Sequence, residues 1–120
     1  MSFIGDKSYQ ALRNSLDEAW VRQQVHSNNI ANAETPGYKA KSVSFEDVFR
    51  KAAEGKAAGW EHKAILHEDH TTAGRPDGNN VSVDNEEMEM WQAYAQYSAV
   101  SRRITGKLSN LRYVVNNTAK

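Results

Sequence analysis

A helix-breaking triplet, Thr35-Pro36-Gly37, lies between two long helical patterns and sets the folding choices of this chain. Pro36 removes a backbone donor and drives Thr35 out of the helical region, while Gly37 supplies the positive φ that a type II turn requires after proline. Before the triplet, an Asn-rich stretch closes the first pattern; after it, Tyr38 gives an aromatic anchor.

The first pattern spans residues 8–32. Tyr9, Leu12, Leu16, Ala19, Gln23, His26 and Ile30 recur at alternating steps of three and four, the heptad seam of a coiled coil, over about 37 Å of helix. The second spans residues 85–117, with Met90, Tyr94, Tyr97, Ser101, Ile104, Leu108, Leu111 and Val115 in the same rhythm. Asp84 stands where an N-cap belongs, with Glu87 three residues on as in a capping box. Acidic residues crowd the first turn and basic ones the later turns, which complements the helix dipole.

Between the helices no period is clear. Residues 44–53 read as a short amphipathic helix with Phe45, Val48, Phe49 and Ala52 on one face. Val81 and Val83 read as a brief extended strand. The rest is glycine-rich, and a stretch this long without structure is either functional or disordered when unbound. The expected fold is therefore all-α: an antiparallel pair of long N- and C-terminal helices around an irregular, partly disordered middle. The parts are residues 1–35, the turn and loop region 36–84, and residues 85–120.

Composition narrows function. Fifteen basic and fifteen acidic side chains cancel, so no global field draws nucleic acid or anionic lipid. Hydrophobic content is 39% and mean hydropathy −0.76, too little for a thick core but enough for a seam between helices. Cysteine is absent, which excludes disulfides and thiolate metal sites. No run reaches the roughly 18 apolar residues of a membrane span, and residues 1–6 lack the basic-then-apolar order of a secretory signal.

His62, His67, Glu68, Asp69 and His70 form the one cluster with metal-ligand chemistry. Its spacing fits no zincin pattern and no rigid frame is evident, so a solvated loop is the expectation and no metal or cofactor is assigned. No Gly-rich loop follows a strand, and no nucleophile sits beside a base, so catalysis is not expected. Trp91, Ala95, Val100 and Val114 lie off the seam of the second helix. A helix that is apolar on more than one side expects more than one neighbour.

The run Ser27-Asn28-Asn29-Ile30-Ala31-Asn32, followed by Thr35-Pro36-Gly37-Tyr38-Lys39-Ala40, resembles the N-terminal motif of the bacterial flagellar rod and hook proteins. The likeness extends to Arg22-Gln23-Gln24 and to residues 43–49. Residues 78–84 and 107–112 are most similar to the proximal-rod member of that group, whereas residues 52–77 carry almost none of it. Glu34 departs from the Asp common at its position.

The resemblance implies a structural subunit of the proximal rod of the basal body. Such a subunit stacks helically with copies of itself and other rod proteins, transmits torque and walls the export channel. It implies as further partners the basal-body adaptor protein at the rod base and the flagellar type III export gate, with export lacking a cleaved signal and a final place in the envelope-spanning rod. It makes Asn28, Asn29, Ile30, Asn32, Thr35, Pro36, Gly37 and Tyr38 subunit-contact residues, the Asn amides bridging to neighbouring chains. Tyr38 reads equally as a local staple. A cytoplasmic coiled-coil adaptor or export chaperone is the alternative reading of the same helices.

Overall fold

The computed structural model describes residues 7–53, 55 and 57–118; the reading of residues 1–6 as lacking a secretory signal, and the last two residues of the C-terminal part, lie outside them. Four elements follow in order: α1 (Lys7–Ala31), β1 (Lys41–Arg50), β2 (Gly59–Glu68) and α2 (Val83–Thr118). The fold is α+β, which corrects the all-α expectation. Lys41–Arg50 and Gly59–Glu68 pair as a two-stranded antiparallel hairpin in place of a short helix and an irregular, partly disordered loop.

Why a strand wins at 41–50 is visible in its side chains. Val43, Phe45 and Phe49 fall on one face and Ser42, Ser44 and Glu46 on the other, a period of two that suits a half-covered strand. Opposite them, Leu66, Ala64 and Trp60 pair with Val43, Phe45 and Phe49, and the Phe49 and Trp60 rings meet edge to face at 5.4 Å. Cross-strand aromatic pairs of this kind are the unit of sheet stabilisation, and an isolated helix at 44–53 would have none of them. Val83, expected in an extended segment, opens α2 instead, and the Glu86 amide donates to the Ser82 carbonyl at 3.0 Å. The helix thus starts one residue before Asp84, which lies in its acidic first turn.

α1 and α2 lie side by side in opposite directions: Gln96 reaches Ser15, and Glu86 reaches His26 near the other end. In that register Lys7 is level with residue 104, so the last turns of the 36-residue α2 run on past it. The molecule is elongated, 70 × 35 × 16 Å.

Small residues occupy the helix contact. On α2 the buried positions are Glu86, Ala93 and Val100, seven apart, and on α1 Ala19 and His26. The expected seam is thereby turned by one residue at alternate positions. Ala93 replaces Tyr94 and Val100 replaces Ser101 at the contact, while Tyr94 faces solvent. Leu12, Leu16, Ile30, Met90, Tyr97 and Ile104 are half-buried, and Leu108, Leu111 and Val115 are exposed.

Candidate functional site

The end of α1, the Thr35–Tyr38 turn, the root of the hairpin and the start of α2 converge on a knot of polar side chains. Asn29, fully buried, is its centre. Its amide nitrogen donates to the Lys41 carbonyl at 2.7 Å and to Glu86 Oε2 at 3.0 Å. Its oxygen accepts from the Tyr38 hydroxyl at 3.1 Å and the Lys41 amide at 3.0 Å. Both donors and both lone pairs of the side chain are thus occupied, the condition under which a buried amide is tolerated. Glu86 Oε2 also lies 2.6 Å from His26 Nδ1.

A second buried amide, Asn79, caps the end of α1. Its nitrogen donates to the carbonyls of Asn32 and Thr35, both at 2.9 Å, and its oxygen accepts from the Val81 amide at 2.8 Å. Arg75 adds hydrogen bonds to the Ala33 carbonyl and to Glu34. These partners satisfy carbonyls of the turn that follows α1, and the cation suits the negative end of the helix dipole.

The turn has the form that Pro36 and Gly37 dictate. The Tyr38 amide donates to the Thr35 carbonyl at 3.2 Å, and Gly37 has φ of 74°. The outward-facing Gly37 amide donates to the Asp77 carbonyl at 2.9 Å, which docks this turn on the Arg75–Gly78 turn. At Gly74 a Cβ would lie 2.2 Å from the Asn79 carbonyl oxygen, so only glycine fits. Asn80 completes the knot by accepting from the Ala40 amide at 2.6 Å and donating to the Asp69 carbonyl at 2.8 Å.

Of the motif residues expected to contact other subunits, Asn29 and Tyr38 are thus joined to each other within the chain. Asn32 returns its amide to the Asn28 carbonyl at 2.8 Å, and Ile30 is half-buried. Asn28, Thr35, Pro36 and Gly37 are exposed. Sequence reading missed Asn79, Glu86, Arg75 and Gly74 as members of the knot. The signal for part of it was present: Arg75-Pro76-Asp77-Gly78 has the proline, aspartate and glycine of a tight turn.

The histidine cluster disperses. His67 Nε2 lies 2.7 Å from Ser44 Oγ, and His70 is 3.9 Å from Glu68. Asp69 accepts from Thr71 and Thr72. The Thr72 hydroxyl, then the Thr71 amide and hydroxyl and the Thr72 amide, hold that carboxyl well below the usual carboxylate range. Among the described residues no three metal-ligating side chains converge.

His62 faces α1 between two carboxylates, with Nδ1 2.6 Å from Asp47 and Nε2 2.8 Å from Glu18. The hydrogen bond to Asp47 chiefly raises its pKa above the ordinary 6.5; partial burial opposes this, and Glu18 adds to it.

Several large apolar side chains lie exposed. Trp20, Met88, Trp91 and Tyr94 are exposed on the helix pair, as are Leu108, Leu111, Tyr113, Val114 and Val115 at the far end of α2. Trp20 and Met90 flank one groove with Gln23 and Asn28, and Trp91 and Tyr94 continue it. Among the described residues no helix is long and apolar enough to cross a membrane.

A polar knot inside and patches of large apolar side chains outside are the marks of a chain that packs against other protein chains. The comparisons give that class its family. Residues 11–39 match the family described as flagella basal body rod protein. Over 88% of its length the chain is 35% identical to the flagellar basal body rod protein FlgB of Bacillus subtilis (strain 168), covering 91% of that relative. It is 30% identical to FlgB of Aeromonas hydrophila over 92% of this chain and 94% of the relative. For FlgB of Buchnera aphidicola the identity is 30%, over 78% and 83%. The chain belongs to the FlgB family of flagellar basal body rod proteins, and is a structural, non-enzymatic component of the rod.

Proposed function

We propose that this subunit builds the proximal rod, stacking helically with its own copies and with other rod proteins into a tube that transmits torque and walls the export channel. The observation that supports this reading most is the exposed apolar surface on the helix pair, from Trp20, Trp91 and Tyr94 to Leu108, Leu111 and Val115. In water such a surface is costly, at about 25 cal/mol per Å² of apolar area left uncovered. Head-to-tail contacts between unlike surfaces of successive subunits cover it and generate an open helical assembly.

In this reading the two helical parts, residues 1–35 and 85–120, form the wall, and residues 36–84 brace it. Asn28, Thr35 and Pro36, exposed beside the buried knot, meet the next subunit, while Asn29 and Tyr38 hold the turn in shape for them. The subunit reaches the rod through the flagellar type III export gate without a cleaved signal, and its lowest copies sit on the adaptor protein at the rod base.

Deletion of the gene, followed by electron microscopy of isolated basal bodies, tests the proposal. Basal bodies without a rod are the expected result; normal rods in the deletion strain would end it.

A further inference from the structure

The hairpin is an arm with one fixed end. At its root, Lys41 is bonded twice to Asn29, and the Asp69 amide donates to the Ala40 carbonyl at 2.9 Å. From there each strand runs ten residues, about 33 Å at strand rise, along α1. Part-way out, His62 stands between Asp47 of β1 and Glu18 of α1. From the geometry we infer that His62 is a proton-operated latch: the doubly protonated ring ties the arm to α1 through Glu18, and loss of one proton loosens the arm's hold on α1 about its root.

The chemistry of the two contacts requires this. A carboxylate only accepts, so oxygens 2.6 and 2.8 Å from the two ring nitrogens demand two N–H donors, which only the imidazolium has. A neutral ring keeps one N–H and turns a lone pair towards the other carboxylate. Asp47 lies on the strand paired with that of His62 and moves with it, so a neutral ring that keeps its proton on that side turns its lone pair to Glu18. The hydrogen bond lost is the one between arm and helix; Arg22 over the Phe45 ring still joins them, so the hold is weakened and the docked population falls.

Among the described residues the ring meets Glu18, Asp47 and Phe45, with Arg22 one contact further out. From α1 come Glu18 and Arg22, 3.7 Å apart, and from β1 come Asp47 and Phe45, whose ring stacks on the imidazole at 5.7 Å. Arg22 lies over the Phe45 ring at 5.1 Å and donates to Gln96 of α2, a neutral amide, at 3.1 Å. The two carboxylates outweigh the one guanidinium, in keeping with the raised pKa of the ring. A raised value places full latching below the ordinary 6.5 and its loss above that, as pH climbs through the folded-state value.

The test uses the full chain, which has no native cysteine, spin-labelled at Arg13→Cys on α1 and Lys51→Cys beyond β1. Both native side chains are exposed. Pulsed electron spin resonance should find one narrow, short distance near pH 6, and a several-fold loss of that docked population by about pH 9, a range chosen to bracket an imidazole titration. In Glu18→Gln, whose amide accepts from or donates to either form of the ring, the pH response should vanish while helix content by circular dichroism is unchanged. An unchanged docked population across the range in the native sequence would overturn the latch, as would a pH response that persists undiminished in Glu18→Gln.

Discussion

At its start α2 enters a knot in which Glu86 meets His26 and the fully buried Asn29, with Asn79 packed close by on the end of α1. At its far end the same helix carries Leu108, Leu111, Val114 and Val115 in the open. Ordinary globules bury the second kind of residue and expose the first. Here the polar end is finished by the chain itself, down to the last lone pair of Asn29, whereas the apolar end has no cover from the described residues of its own chain. Hydrogen bonds are directional and must be closed locally; apolar contact is not directional and any well-shaped neighbour supplies it. A subunit made for assembly in the rod therefore keeps its shape with the first and reserves the second for its partners.

Asn29→Ala is the harshest way to break that contrast. It strips partners from Glu86, Tyr38 and Lys41 at once, and urea unfolding should show a loss of about 3 kcal/mol, the scale of buried groups left unsatisfied. A loss near zero would mean that the knot is not what holds the turn. Gly74→Ala should follow at about 2 kcal/mol, because the new methyl group meets the Asn79 carbonyl and that strand of the knot must shift. Gly37→Ala has open space around it but retains a positive φ, so thermal unfolding should register only about 1 kcal/mol. Reversal of the Gly74 and Gly37 costs would show that turn conformation, and not close approach, limits this region.

Smallest of all for the isolated subunit is the double change Leu108→Ser with Val115→Ser. Both side chains are exposed, so stability should move by no more than about 0.5 kcal/mol, yet rod assembly and swimming should fail. Normal motility in that variant would remove the far end of α2 from the assembly surface.

Which of these features could be read from the chain follows from how local their causes are. The two helices and the Thr35–Tyr38 turn rest on spacing, Pro36 and Gly37, and each is visible within a few residues. The hairpin is hidden because its alternation fails at two neighbouring places: Asp47, opposite His62, puts a polar pair in the middle of the apolar face, and Val48 puts an apolar residue on the polar one. What remains, Phe45, Val48, Phe49 and Ala52, fits a helix as well as a strand. The seam is turned by one residue at alternate positions because α2 is apolar on several sides, and small Ala93 and Val100 settle at the contact where the heptad rhythm selects Tyr94 and Ser101. The knot joins Asn29 to Glu86 across 57 positions and Asn32 to Asn79 across 47, distances that no periodicity reports.

Hydrogen exchange measured by mass spectrometry on the isolated subunit and on assembled rods compares the two ends directly. In the isolated subunit, amides around residues 32–41 and 75–81 should be among the slowest to exchange, and those of residues 107–118 among the fastest; on assembly the second group should gain most of the new protection. Equal protection of both regions in the free subunit, or no gain at residues 107–118 in the rod, would contradict the account.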